Sequence, residues 1–460
     1  MKGLFMNIRN MFKRNISSGQ GKSVNTSLTE TARWKSIYAG GGDWRYARRG
    51  GVSGGSGTRR INSLGTAKAL CAELSALCFS EQADFGFASK EAGDFAKNVL
   101  GDNGFWRCFP LFLEKMFALG AGVIKVYHEG GNVKLNYIGG DRFIPTQYDE
   151  KGVYGGIIIS CLERGGRRFE LHEKHEKCGN DYIISNTLFD EEKDKEIELS
   201  EVFSNLQKET RVKNLKKPLF VYFRPASVNN ISDSPLGLSV LANAADILKS
   251  LDVVFDSLER EFVLGKKRII VPTSAIKGEY GDDGKLHKFF DTSDEVYQAF
   301  SANDREELKI TDTSSELRVR EHIDALEELL DLLCMQTGLS AGTLSYKGGM
   351  RTATEVLSQG TRTYRTKTAH QQLIREGLSD LLGNIILLGK LTGALPFMLS
   401  EAESTVNVVF ADSVMQDNSA RIDNTLKLFK AGIIDKNRAL MEVYGLAAEE
   451  TETVKGGDGQ

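Results

Sequence analysis

Two stretches with a helical apolar period, residues 234–265 and 318–337, flank about fifty residues of different character, and that arrangement limits the fold more than any other feature. In the first, SPLGLSVLANAADILKSLDVVFDSLEREFVLG, the residues Leu238, Leu241, Ala245, Leu248, Leu251, Phe255, Leu258 and Phe262 recur every three or four positions. Ser234 suits an N-cap and Pro235 the first turn, so the spacing predicts one helix of about 30 residues, roughly 45 Å long. In the second, Val319, Ile323, Leu326, Leu330 and Leu333 have coiled-coil-like spacing. One apolar seam and one charged face make a helix that packs along its whole length. Residues 266–317 open with a strand, RIIVP, and hold a hairpin candidate, GEYGDDGKLHKFF. The helices are therefore an outgoing and a returning stalk with a small head inserted between them.

At 460 residues the chain is far longer than one core needs, so two to four domains are expected. Leu64, Ala67, Leu70, Cys71, Leu74 and Cys78, then Phe109, Leu113 and Phe117, predict helices from Asn62 to about Leu119. From Gly120 to about Arg224 the period changes to two. VIKVYHEGGNVKLNYI is a hairpin around Gly130-Gly131, FIPTQYDEKGVYGGIIISCL a pair around Glu150-Lys151-Gly152, and RRFELHEKHEKCGNDYIISNTLF another. The body is thus α+β with an antiparallel sheet. DEEKDKEIELSE, residues 190–201, reads as an acidic solvated loop. After Pro396 come one strand, TVNVVF, two short helices and a tail, 451–460, expected to be disordered.

After the returning stalk lies a glycine-dotted loop, residues 338–351. Thr352 and Glu355 then form a T-x-x-E capping box that starts a helix. As far as Gln372, its only large apolar side chains are Val356, Leu357 and Tyr364; from Leu373 to Leu391 it is strongly apolar. So polar an opening predicts contacts with other domains or neighbouring subunits rather than with the chain's own core.

Catalytic or metal chemistry finds little support. Lys and Arg number 59 against 62 Asp and Glu, a balance of −3, which argues against coating nucleic acid by bulk charge. The six cysteines, Cys71, Cys78, Cys108, Cys161, Cys178 and Cys334, show no paired framework and read as reduced thiols. His172, His175 and Cys178, with Cys161, are the one zinc-like grouping, but on a strand the two histidines point to opposite faces. The stretch 40–60, GGGDWRYARRGGVSGGSGTRR, lacks the Lys-Ser/Thr ending of a phosphate loop and reads as a flexible arm that orders on a neighbour. Asn229 and Asn230 suit a polar turn. No apolar run reaches the ~20 residues of a membrane span, and the basic N-terminus, MKGLFMNIRNMFKRNI, has no continuous apolar core of the kind a signal peptide carries.

Five stretches in order, GGDRFIPTQYDEKGVYGGIIIS, FELHEKHEKCGNDYIISNTLFD, KPLFVYFRPASVNNISDSPLGLSV, EFVLGKKRIIVP and GGMRTATEVLSQGTRTYRT, resemble the portal proteins of tailed double-stranded DNA bacteriophages. The likeness is to the siphovirus branch from Gram-positive hosts and spans roughly residues 60–450. It implies an α+β portal fold: a flexible N-terminal arm (1–60), a wing (61–233), stem helix 1 (234–265), a clip (266–317), stem helix 2 (318–337), a tunnel loop (338–351), a long wing helix (352–399) and a helical crown (400–450).

The same resemblance implies a homo-oligomeric ring, typically of twelve subunits, at the unique capsid vertex. It would conduct double-stranded DNA during packaging and ejection, in the virion and, during assembly, in the host cytoplasm. Ser345, Tyr346, Lys347, Gly348, Gly349, Met350 and Arg351 would form the DNA-channel loop, with Lys347 and Arg351 touching phosphate transiently and without sequence preference. Lys266, Lys267, Arg268, Lys285, His287 and Lys288 are clip candidates for docking the terminase large subunit and then a head–tail connector. Leu241, Leu248, Phe255, Phe262, Ile323 and Leu330 would pack stem against stem between subunits. Major capsid and scaffold proteins are further implied partners, and no membrane, metal, cofactor or enzymatic activity is implied. The alternatives fare worse. A DNA-processing enzyme needs a carboxylate cluster, and Asp141 with Asp149 or Asp282 with Asp283 suit turns better. Another scaffolding or adaptor protein of the virion would be small or largely disordered.

Overall fold

The computed structural model describes residues 21–49, 57–79, 83–193, 195–231, 236–265, 269–270, 277–280, 286–289, 311–312, 316–345, 353–395, 406–410 and 425–431. The N-terminal stretch expected to be a flexible arm is, where described, ordered on its own chain. Helix α1 spans Gly21–Tyr38 and buries Trp34 and Ile37 at 3% exposure each. Strands β1 (Tyr46–Arg49) and β2 (Gly57–Arg60) pair antiparallel.

The core is built on α2 (Thr66–Phe79) and α4 (Phe105–Leu119). Leu70, Leu74, Phe105, Phe109, Leu113, Met116 and Phe117 share one face at helical spacing and are fully buried. Rings stack along it, with Phe105 and Phe109 centroids 4.8 Å apart. Helices dominate from Asn62 to Leu119 as expected, with one strand between them. Strand β3 (Ala83–Phe87) precedes α3 (Lys90–Asp102), whose N-cap Ser89 accepts the Ala92 N–H.

The hairpin expected around Gly130-Gly131 is β4 (Gly122–Glu129) with β5 (Asn132–Gly139). Its two turn residues have φ of 59° and 83°, the left-handed pair that a two-residue I′ turn requires and that glycine adopts without strain. Strand β6 (Phe143–Asp149) pairs with β7 (Gly152–Arg164), which pairs with β8 (Arg167–Cys178), which pairs with β9 (Asp181–Asp190). The predicted acidic loop is partly structured. Within it β10 (Lys195–Ile197) adds to β9 and a 3₁₀ turn covers Leu199–Glu201, while Asp190, 1% exposed, pairs with Arg167. Strand β11 (Glu209–Val212) also pairs with β9, completing a six-stranded sheet, and β12 (Phe220–Phe223) adds to β4 to make a three-stranded sheet, β12-β4-β5.

The outgoing stalk is α5 (Ala245–Leu264), shorter than the apolar stripe suggested. Leu238, in irregular chain, and Leu241, in a turn, both precede it yet are buried, so the stripe continued through non-helical chain; Ser234 and Pro235, the expected cap, lie outside the described residues. Of the head, β13 (Ile269–Ile270) pairs with β16 (Thr311–Asp312), and β14 (Lys277–Tyr280) with β15 (Leu286–Phe289), the expected hairpin. The stalk returns as α6 (Val319–Thr337). Helix α7 runs Ala353–Leu391 through the body. Strand β17 (Val406–Phe410) pairs with β3, burying Val408 and Phe410 in the main core. The residues expected to open a separate crown thus belong to the body. No described helix is long and apolar enough to cross a membrane.

Candidate stem and channel site

Helices α5 and α6 pack side by side. At the body end, Leu248 and Leu251 share the core with Leu326, Leu330 and Leu333. At the head end, Arg318 just before α6 holds Glu261 of α5. Its backbone N–H and Nε both donate to Oε1 at 3.2 Å, and a terminal nitrogen lies 3.1 Å from Oε2. That contact keeps the Glu261 carboxyl below the usual carboxylate range. The head is thus tied at the neck where its chain leaves and returns.

This geometry corrects part of the expected intersubunit seam. Leu241, Leu248 and Leu330 are at most 4% exposed and lie in this chain's own core, so they have no surface for a neighbour. Phe262 is 50% exposed, and Phe255 and Ile323 are partly exposed.

The outer side of α5 carries an arrangement that sequence reasoning missed. Asp252 accepts the indole N–H of Trp44 at 2.8 Å and the Leu64 N–H at 2.9 Å. One turn on, Asp256 takes both terminal nitrogens of Arg59, at 2.7 and 2.5 Å, and the Asn62 N–H at 3.1 Å. Glu259 accepts from the Asn62 side chain. Carboxylates at 252, 256 and 259 share one helix face, and Trp44 and residues 59–64 lie on them as a strap. The Asp256 side chain is 5% exposed, and Arg59 holds its carboxyl below the ordinary aspartate value. The available signal was that i, i+4, i+7 acidic face. Trp44 and residues 59–64, described parts of and next to the 40–60 stretch, therefore rest on the chain's own stem.

The loop expected in the channel begins from an anchored turn. Gly338 ends α6 with φ 79°, and an added Cβ would sit 2.5 Å from the Thr366 hydroxyl. Thr366 Oγ1 donates to the Gly338 carbonyl at 2.7 Å, the Ser340 N–H donates to Thr363 Oγ1 at 2.9 Å, and the Gly342 N–H donates to Asp331 at 2.6 Å. From residue 363 the polar opening of α7 is thus held by contacts to other parts of its own chain, the first of the two arrangements expected. Further along, Gln371 donates to the Cys78 carbonyl at 3.1 Å, and His370 Nδ1 accepts the Ala226 N–H at 3.0 Å. Burial lowers the His370 pKa to about 4, so it is the neutral acceptor at pH 7. Ser345 is the last described residue of this turn; Tyr346, Lys347, Gly348, Gly349, Met350, Arg351 and the capping Thr352 lie outside the described residues. So do Lys266, Lys267, Arg268 and Lys285, while His287 and Lys288 fall on β15.

The zinc-like grouping does not converge. His172 and His175 are buried beside Phe189 and Phe220 respectively, and each bonds the glutamate two residues before it. Cys161 and Cys178 are exposed, and among the described residues no cluster of His, Cys, Asp and Glu could hold a metal. Asp141 pairs with Lys35 at 2.5 Å, while Asp149 accepts the Lys151 N–H at 2.8 Å, a turn role. Asp282 and Asp283 lie outside the described residues. Burial pushes the Cys78 thiol up to about 12 and raises Cys71 and Cys334, which leaves all three unreactive.

The chain thus consists of a body, a paired-helix stalk and a hairpin-bearing head. Residues 27–455 match the family model described as phage portal protein, SPP1 Gp6-like, and the chain belongs to that family. It is thus a portal protein, a structural component of the phage particle at the head–tail junction. No curated protein matches the chain. Two solved structures are similar in fold. One is the neck of an empty GTA particle computed with C6 symmetry, with 13% identity, 83% of this chain and 89% of that chain covered, and a TM-score of 0.43. The other is the neck of a native GTA particle computed with C12 symmetry, with 12% identity, 82% and 88% covered, and a TM-score of 0.39.

Proposed function

We propose that the chain assembles into a closed ring, twelve-membered, whose central channel conducts double-stranded DNA into and out of the capsid. The family match over residues 27–455 carries this reading. The clip at 266–317 docks the terminase large subunit during packaging and a head–tail connector afterwards, and the ring has no enzymatic activity of its own. Residues 345–351 project into the channel from the anchored turn at 338–345. Heterologous contacts that close generate such a ring, and the exposed Phe262 with the partly exposed Phe255 and Ile323 supply apolar surface for it. A sparse pair of cations, Lys347 and Arg351, on a glycine-rich loop suits DNA that must slide, because few phosphate contacts are easily broken.

Replacing residues 345–351 with a Gly-Ser linker in the phage tests this reading. The expected result is normal ring assembly with capsids that fail to fill or retain DNA. Fully packaged, DNA-retaining capsids would refute the channel role, and a variant that no longer folds would show the segment to be part of the core.

A further inference from the structure

Strands β1 and β2 form a two-stranded ribbon that Arg59 ties to α5. The chain as a whole is near charge balance, at −3, but this part of it is not. No acidic residue lies between Asp43 and Glu73, while Arg45, Arg48, Arg49, Arg59, Arg60 and Lys68 do. The register sorts the ribbon into two faces. Ala47 stands opposite Arg59, and Arg59 sets that face on the stem by bonding Asp256. Side chains alternate along a strand, so Tyr46 opposite Arg60, and position 48 opposite Thr58, belong to the other face. That face is open: Tyr46 is 60% exposed, and Thr58 and Arg60 are exposed as well.

Among the described residues no carboxylate pairs with Arg45 or Arg60. The acids nearby are engaged elsewhere. Asp252 and Asp256 are buried beneath the strap, Glu259 accepts from the Asn62 side chain, and Asp43 pairs with Arg33 at 3.2 Å. The outward face therefore offers free positive charge beside an aromatic ring. Residues directly opposite on paired strands stand about 5 Å apart, so the Tyr46 ring and the Arg60 guanidinium present a stacking surface and a cation side by side. A nucleotide supplies a partner for each, a base for the ring and a phosphate for the guanidinium. An acidic peptide supplies the charge but no flat ring. A duplex supplies the phosphates but keeps its base faces stacked inside, showing only their edges in the grooves.

We propose that the outward face of this ribbon binds single-stranded nucleic acid, with a base stacked on Tyr46 and a neighbouring phosphate on Arg60. Arg48 and Arg49 add to the positive charge that draws the strand in. The contact is indifferent to base sequence, because every base has a face to stack. The site is distinct from residues 345–351 and does not depend on the channel reading.

The probe is a fluorescein-labelled oligothymidylate of about 16 nucleotides, titrated with the full chain and followed by anisotropy. Saturable binding that weakens with salt is expected. Tyr46→Ala should weaken it about fivefold or more, the loss of one stacked base, and Tyr46→Phe should keep it. Arg60→Gln should lower the slope of log K against log salt by about 0.7, the loss of one phosphate contact on a single strand. Hydrogen exchange at the Asn62 and Leu64 amides should match wild type in all three variants, which separates loss of the site from loss of the strap. The proposal is overturned by no saturable binding, by an affinity indifferent to Tyr46→Ala, or by a duplex of the same length that binds more tightly. Polyglutamate that competes as well as the oligothymidylate would overturn it in favour of an acidic protein partner. Binding that survives Tyr46→Ala and is lost with the 345–351 linker would overturn it in favour of the channel loop.

Discussion

Arg59→Met tests whether residues 59–64 are a strap on the stem or an arm at rest against it. Arg59 gives Asp256 two hydrogen bonds, at 2.7 and 2.5 Å, and without them that carboxylate keeps the Asn62 N–H at 3.1 Å. Asp256 is 5% exposed on its side chain and Arg59 25%. Stripping one partner from a fully buried pair costs roughly 3–5 kcal/mol; with a quarter of Arg59 in water, about 2–3 kcal/mol is the expected loss. The loss is local, because the core beneath α5 is untouched. Hydrogen exchange reads it at the two amides that end on α5 carboxylates, Asn62 and Leu64, which should exchange roughly thirty- to a hundredfold faster. The sign with pH follows. Arg59 lowers the folded-state pKa of Asp256, so its contribution is fully present above the ordinary aspartate pKa and is lost as pH falls through the lowered value. Wild-type protection at these amides should therefore fall in acid, and the Arg59→Met protein, in which Asp256 keeps only the Asn62 N–H, should show a smaller fall. Unchanged exchange at both amides in Arg59→Met would refute the strap.

The other expectations concern the body. His370 has a folded-state pKa of about 4 against an ordinary 6.5 or so, so the unfolded chain binds the extra proton between those values and stability drops as pH falls through that window. The drop should be about 2–3 kcal/mol by chemical denaturation, and His370→Gln should remove most of it. Gly377→Ala places a methyl group against Phe223, which is packed between Phe109 and Phe112 at 5.8 and 5.4 Å. Thermal unfolding should show a loss of about 1–3 kcal/mol, and an unchanged midpoint would mean that α7 gives way freely.

Local signals were legible where they were self-contained. Gly130-Gly131 between two alternating runs could form little but a tight hairpin, and the carboxyl-terminal stalk ends at Gly338 as its period suggested. Periodicity misled where burial did not require regular structure. Leu238 and Leu241 continue the α5 stripe because they are buried, although their backbone is not helical. Pairings set by tertiary packing left no local mark. ADFGF is too short and too interrupted by Gly86 to stand out as a strand until Val406–Phe410 supplies its partner. The polar opening of α7 was visible, but not its cause. Thr363, Thr366, His370 and Gln371 are there to satisfy backbone groups of this same chain, and a hydrogen bond to a distant carbonyl has no sequence period.

The central claim is the closed ring, and the mass of the purified protein in solution, taken with images of the same particles, tests it most directly. The account predicts a particle of about twelve subunits pierced by a central hole. A stable small oligomer with no hole would contradict it.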